Sequence, residues 1–388
     1  MNLGIEENKP AGIRVELSAT RLPSGALALA AEAGAAHALV DCACGAVIYR
    51  EVTAQRLSAE VLLWYVLLYN AVAFGLQWVL GLLSDLRGAH RSLAATGPWL
   101  TAAAVPVAAL FPWTGAVLAG VGNACFHVGA AGALLPRCAG RALEPGIFVG
   151  PGAVGIFMGV WMGGQGFEWR GVMAGLLIAA GIRLWFVIPR EQRPRSPEPG
   201  MARVSLGFAI VTALFLSVVI RGLVGGLLTG AWRDSVPAGV ALAVAAAGGK
   251  CLGGWVADRI GWRRAGTLAL AASTPLIFSG MHYLPLAICG LLLFQSTMPV
   301  TLAGTYAVMP RWPGFAFGLP SLALLLGMLP GFTPWLRLHP TLVAALLMPV
   351  ILGSAALLWL GLGGGRLGPE VFQRGLKCRT VKVTHRKQ

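Results

Sequence analysis

The chain alternates between long apolar runs and short polar breaks. Twelve runs of membrane length stand out, at roughly 26–49, 60–83, 93–112, 114–136, 146–165, 169–189, 204–228, 237–257, 265–281, 284–308, 314–335 and 341–362. A helix needs about 20 apolar residues to cross the hydrocarbon core of a bilayer. The runs are continuously apolar and do not alternate every second residue, so they predict helices and not barrel strands. The break "FPWTG" between the third and fourth is very short, and the tenth run is long enough to end early near Ala303. The stretch 189–203, "PREQRPRSPEPGMAR", is the one long polar interruption and reads as a linker. The predicted order is a polar segment 1–25, six helices over 26–189, a linker 190–203, six helices over 204–362 and a basic tail 363–388.

Composition turns this pattern into a class. The 388 residues are 56% hydrophobic and only 12% charged, with a mean hydropathy of +0.73. Soluble domains carry about 25% charged residues. A chain this poor in charge cannot clothe a globular surface, so it reads as an all-α integral membrane protein with the lipid bilayer as its surroundings. The first 25 residues lack the apolar centre of a cleaved signal peptide, and the first run is expected to stay as a span.

The net charge of +15 changes the picture only through its placement. Basic residues lie in the breaks and are not interleaved with aromatics, so nucleic acid is not an expected partner. The N-terminal segment, the even-numbered breaks and the tail hold 22 Lys and Arg; the odd-numbered breaks hold five, Arg50, Arg56, Arg170, Arg233 and Arg337. The positive-inside rule places both termini in the cytoplasm and the chain in the cytoplasmic (inner) membrane. Seven cysteines form no framework, and Cys42 with Cys44 are too close for an ordinary bridge, so small buried thiols are expected. No zinc spacing and no nucleotide-binding loop occur; an enzyme, a bound cofactor and a metal site are not expected.

One charged turn occurs twice. "GLLSDLRGAHR" (81–91) follows the second run and "GWVADRIGWRR" (254–264) the eighth, so that Gly81, Asp85, Gly88 and Arg91 answer to Gly254, Asp258, Gly261 and Arg264 at one constant offset. Two copies of a six-helix unit, related by a parallel repeat, explain the recurrence.

Here the chain resembles the major facilitator superfamily, whose signature turn after span 2 is Gly-x-x-x-Asp-x-x-Gly-x-[Arg/Lys]-[Arg/Lys]. The second copy is the fuller, with Arg259, Arg263 and Arg264; the first has Leu86 where an Arg usually follows the Asp, and Arg87 one place later. The resemblance covers about 26–362. It implies a latch in which the Asp accepts hydrogen bonds from a neighbouring helix N-terminus and from Arg, made in one conformation and broken in the other. "GIFVGPGAVG" (146–155) resembles the Gly-Pro motif of the family's exporters through Gly146, Gly150, Pro151 and Gly155, with Val154 replacing one glycine; Pro151 predicts a kink in span 5. "GNACFHVGAAG" (122–132) locally resembles bacterial exporters related to fosmidomycin-resistance proteins.

Ionisable groups inside a membrane are costly and mark function. His37 and Asp41 share one face of span 1, and Asn123 and His127 one face of span 4. Arg221 lies in span 7, Lys250 in span 8 and Gln295 in span 10; Lys250 is placed to snorkel toward the turn at Asp258. By resemblance, spans 1, 4, 7 and 10 line the central cavity, which makes His37, Asp41, Asn123, His127, Arg221 and Gln295 the candidate substrate- and proton-binding residues. Arg221 keeps its charge and needs a carboxylate or an anionic substrate; Asp41 is the expected carboxylate. The resemblance implies a monomeric secondary transporter of a small organic solute, exporting it in exchange for protons. Proton-coupled uptake, or a membrane sensor or scaffold that transports nothing, are the alternatives.

Overall fold

Backbone groups find no water in hydrocarbon, so each apolar run closes its hydrogen bonds within itself as a helix. The computed structural model describes residues 25–54, 58–165, 169–190, 201–232, 235–332 and 340–363. Over these the chain forms twelve rods. They are α1 (Ala26–Ala54), α2 in two segments (Ala59–Gly75 and Gln77–Arg87), α3 (His90–Leu110), α4 (Pro112–Leu134), α5 (Leu143–Gly164) and α6 (Arg170–Val187). The second six are α7 (Met201–Ala231), α8 (Val236–Ile260), α9 (Trp262–Gly280), α10 in two segments (Leu284–Gln295 and Met298–Val308), α11 (Pro313–Met328) and α12 (Pro340–Gly363).

Each predicted run coincides with one rod, and no strand occurs among the described residues. Ten of the helices are long and apolar enough to cross a membrane; α9 and the described part of α12 supply the other two rods. The differences lie at the ends. Helix α1 continues past residue 49 to Ala54, and α7 begins at Met201, inside the expected linker. Helix α10 does not stop near Ala303: it breaks at Ser296 and Thr297, before Pro299, and runs on to Val308. Residues 1–24, most of the linker (191–200) and the tail from 364 lie outside the described residues.

Two apolar cores form. One gathers residues such as Phe126, Phe148 and Leu177 from the first six rods, the other Trp262, Leu270 and Leu358 from the last six. The outward faces are apolar as well, with Leu110 and Phe186 each 76% exposed. Hydrocarbon matches such faces; water does not. Of the cysteines, Cys42, Cys44, Cys125 and Cys138 are buried free thiols as expected, whereas Cys289 points outward from α10.

The two halves meet chiefly through α5 against α8 and α2 against α11. The glycines of the charged turns serve this contact. A Cβ at Gly81 would overlap the backbone of Gly314, and one at Gly254 the backbone of Ala142. Gly88 (φ 67°) and Gly261 (φ 93°) end their helices in the left-handed half of conformational space, which glycine enters without strain.

Candidate functional site

Three arrangements carry polar chemistry. The first joins the halves. Asp85 Oδ1 accepts from the Gly314 N–H and Oδ2 from the Phe315 N–H, both at 2.9 Å, at the start of α11. In the other half Asp258 Oδ1 accepts from the Ala142 N–H at 2.8 Å and Oδ2 from the Leu143 N–H at 3.0 Å, at the start of α5. Each carboxylate thus caps a helix of the opposite half, satisfying open N–H groups at the positive end of a helix dipole. Among the described residues, no arginine bonds to either carboxylate. His90 Nε2 lies 2.8 Å from Asp85, and Trp262 Nε1 donates to Asp258 at 3.0 Å. The arginines stack instead: Arg91 over Trp185, Arg259 over Trp255, and Arg263 over Trp359. A flat guanidinium beside an indole keeps a cation–π contact, and this settles their placement. Arg87 and Arg264 take no part in either cap.

The second arrangement lies within the first half. His37 and Asp41 (α1) meet Asn123 and His127 (α4), the two i,i+4 pairs facing each other. The His37 and His127 Nε2 atoms stand 2.8 Å apart. His37 Nε2 is 3.0 Å from Asp41 Oδ2, Asn123 Nδ2 donates to Asp41 Oδ1 at 2.8 Å, and His127 Nε2 lies 4.0 Å from Asp41 Oδ1. The other ring nitrogens face backbone carbonyls: His37 Nδ1 the Phe148 carbonyl and His127 Nδ1 the Asn123 carbonyl, each at 2.9 Å.

Those carbonyls favour one tautomer of both rings. A carbonyl only accepts, so both Nδ1 atoms carry hydrogen, and a neutral ring then has a bare Nε2. Two bare nitrogens at 2.8 Å would repel. One proton between them, beside the Asp41 carboxylate, turns the contact into a charge-assisted hydrogen bond. The cluster brings three bases around the position between the two Nε2 atoms. Its ligand atoms all lie within 4.8 Å of one another, a grouping that can also hold a metal ion. Two imidazole nitrogens on one tetrahedral ion at about 2.0–2.1 Å would stand about 3.3 Å apart, and the observed spacing suits a proton better.

Helix α5 positions this cluster. Pro151 lacks the N–H that would bond the carbonyl four residues back, and the neighbouring Phe148 carbonyl serves His37. Gly152, which the sequence reading passed over, lies against the His37 ring so closely that a Cβ there would overlap it. Gly155 gives the same close approach to Ala38 of α1, while Gly146 and Gly150 turn toward Lys250 and Cys251 of α8. The expected span 5 motif is therefore a two-sided wedge. Lys250 does not snorkel to the turn: its Nζ crosses to donate to the Val149 carbonyl at 3.2 Å.

The third arrangement is in the second half. Arg221 is buried, donating from one terminal nitrogen to Thr297 Oγ1 and from the other to Thr301 Oγ1 at 2.8 Å. The expected pairing with Asp41 does not exist, because His37 and Asn123 already claim that carboxylate. Gln295 ends the first segment of α10 half-buried and joins neither cluster. Thr297 and Thr301 replace it; the signal was their i,i+4 spacing in an apolar run.

Twelve rods, two mutual carboxylate caps and buried polar clusters in each half define a two-bundle helical membrane architecture. No family model matches the chain, and no curated protein matches it in sequence. Solved structures do. The human organic anion transporter MFSD10 (TETRAN) superposes with a TM-score of 0.67 at 14% identity, over 87% of this chain and 99% of that one. The fucose:proton symporter FucP of E. coli superposes in its outward conformation with a TM-score of 0.63 at 12% identity, over 88% and 97%. A variant of FucP gives 0.61 over the same shares. The chain has the major facilitator fold.

Proposed function

We propose that this protein is a secondary active transporter that moves a small organic solute by alternating access and couples the movement to a proton held by His37, Asp41 and His127. The observation that carries the proposal is the 2.8 Å contact between two Nε2 atoms whose partner nitrogens are both committed to carbonyls. The groups that act on the proton are Asp41 and His37 from α1, Asn123 and His127 from α4, and Lys250 from α8, whose charge reaches Asp41 and His127. Helix α5 contributes backbone carbonyls. The expected direction is export by proton exchange, on the strength of the Gly-Pro wedge; uptake is the opposite outcome of the same flux measurement. Solutes whose cellular content changes on expression provide the substrates, and their flux in proteoliposomes under an imposed pH gradient tests the proposal. Flux that ignores the gradient in both directions would remove the proton from the account.

The caps at Asp85 and Asp258 hold one end of the molecule shut, and we infer that this is the cytoplasmic end. Labelling from outside the cell should then reach Arg56→Cys and spare Arg195→Cys, two positions outside the described residues. The reverse pattern would invert the orientation.

Rocking between states requires these caps to open. Asp85→Asn removes the charge and one of two acceptors. Hydrogen bonds to a charged group contribute about 1.5–3 kcal/mol each, so the shut state should lose at least about tenfold in relative population. Transport should fall by a similar factor with membrane expression largely kept. Wild-type transport in Asp85→Asn would reduce this residue to a determinant of topology.

A further inference from the structure

Arg221 has been left with a charge and no counter-charge. It is 5% exposed. Its two terminal nitrogens are held by neutral hydroxyls, and its Nε is buried with no hydrogen-bond partner. Among the described residues it forms no ion pair. A buried guanidinium without an anion is costly, since the desolvation of the ion is not repaid by hydroxyl dipoles.

The hydroxyls nevertheless aim it. Thr297 Oγ1 donates to the Phe294 carbonyl at 2.8 Å and Thr301 Oγ1 to the Thr297 carbonyl at 2.9 Å. With their hydrogens spent on the helix, both oxygens are free to accept from Arg221. The guanidinium plane is fixed against α10, at the break between its two segments, and its Nε–H is left open. The other half offers no relief. Asp41 is bound by His37 and Asn123. Lys250, the only other cation named inside the spans, finds just a carbonyl.

We propose that Arg221, aimed by Thr297 and Thr301, is an anion-binding subsite, and that the transported solute carries a carboxylate or a phosphate-like group that takes the place of the missing counter-charge. Planar, bidentate recognition of such groups is what a guanidinium offers over an ammonium. The proton site and the anion site then stand in different halves, one on α1 and α4, the other on α7 and α10. The inference rests on the transport reading only in calling the ligand a transported solute; binding is measured without transport.

The test is thermal unfolding of the purified full chain, followed by tryptophan fluorescence at constant ionic strength. The probes are acetate and methylphosphonate, with acetamide and methylammonium as neutral and cationic counterparts. Both anions should stabilise the wild type saturably and the counterparts should not. Arg221→Gln should weaken the apparent anion affinity roughly tenfold or more, the loss of a charge-assisted contact. Arg221→Lys keeps the charge, and with it the fold, but lacks the planar fork; its affinity should fall several-fold. No stabilisation of the wild type by either anion, equal stabilisation by acetamide or methylammonium, or wild-type affinity in Arg221→Gln or Arg221→Lys would each overturn the subsite. Anion binding that depends on Arg221 but with no protein-dependent flux in vesicles would keep the subsite and sink the transport reading instead.

Discussion

Asp41→Asn is expected to abolish gradient-driven transport while substrate exchange without net proton movement survives. The reason is the proton count of the cluster. With both Nδ1 atoms on carbonyls, the proposed shared proton would make one imidazole cationic, with Asp41 as the charge that balances it. The amide keeps the shape and removes the charge. The proton then loses its counter-ion inside a low-dielectric site and leaves, and the two bare nitrogens separate. Loss of these bonds should destabilise the protein by about 1–3 kcal/mol. Arg221 contributes nothing to this loss, since it does not pair with Asp41. Exchange and gradient-driven flux are therefore compared per folded molecule in proteoliposomes. If both persist with unchanged pH dependence, the coupling proton is held elsewhere.

Gly152→Ala should have an effect of similar size by a purely steric route. The added methyl overlaps the His37 ring, which must rotate and give up its contacts to His127, Asp41 and the Phe148 carbonyl together. Overpacking of this kind costs about 1–3 kcal/mol, and gradient-driven transport should drop at least tenfold. Gly175→Ala is the control: a Cβ there meets nothing within 4 Å, and in a helix alanine is favoured over glycine by about 1 kcal/mol. Equal activity of the two variants would show that the fit of His37 against α5 is not what sustains coupling.

In these residues the parts of the fold that the sequence makes legible separate from those it does not. The rods were legible because burial in hydrocarbon demands continuous apolar length; the boundaries moved only at the ends, where α1 runs through Arg50 to Ala54 and α7 starts at Met201. The caps were legible because Asp85 and Asp258 repeat at one offset. Their partners were not: Gly314 and Ala142 act through backbone N–H groups, which no side-chain pattern announces. The stacking of Arg259 and Arg263 on Trp255 and Trp359 follows from tertiary neighbours as well. His37 with Asp41, and Asn123 with His127, were visible as i,i+4 pairs; that the pairs interlock across 90 residues depends on how α1 and α4 pack. Charge alone paired Arg221 with Asp41, and geometry refused it, because a nearer histidine and amide satisfy the carboxylate first. Gln295 is the most polar residue of its run, yet the threonines two and six residues further on carry the contact.

The central claim is that a proton on the His37–Asp41–His127 cluster is coupled to movement of a solute through this fold. Its most direct test is a vesicle measurement in which solute flux and internal pH are followed together after a pH gradient is imposed, for wild type and Asp41→Asn. The account predicts that wild-type vesicles move solute against its own gradient while the pH gradient collapses faster than in protein-free vesicles, and that Asp41→Asn does neither. Uphill movement by Asp41→Asn at the wild-type rate, with the same proton flux, would contradict it.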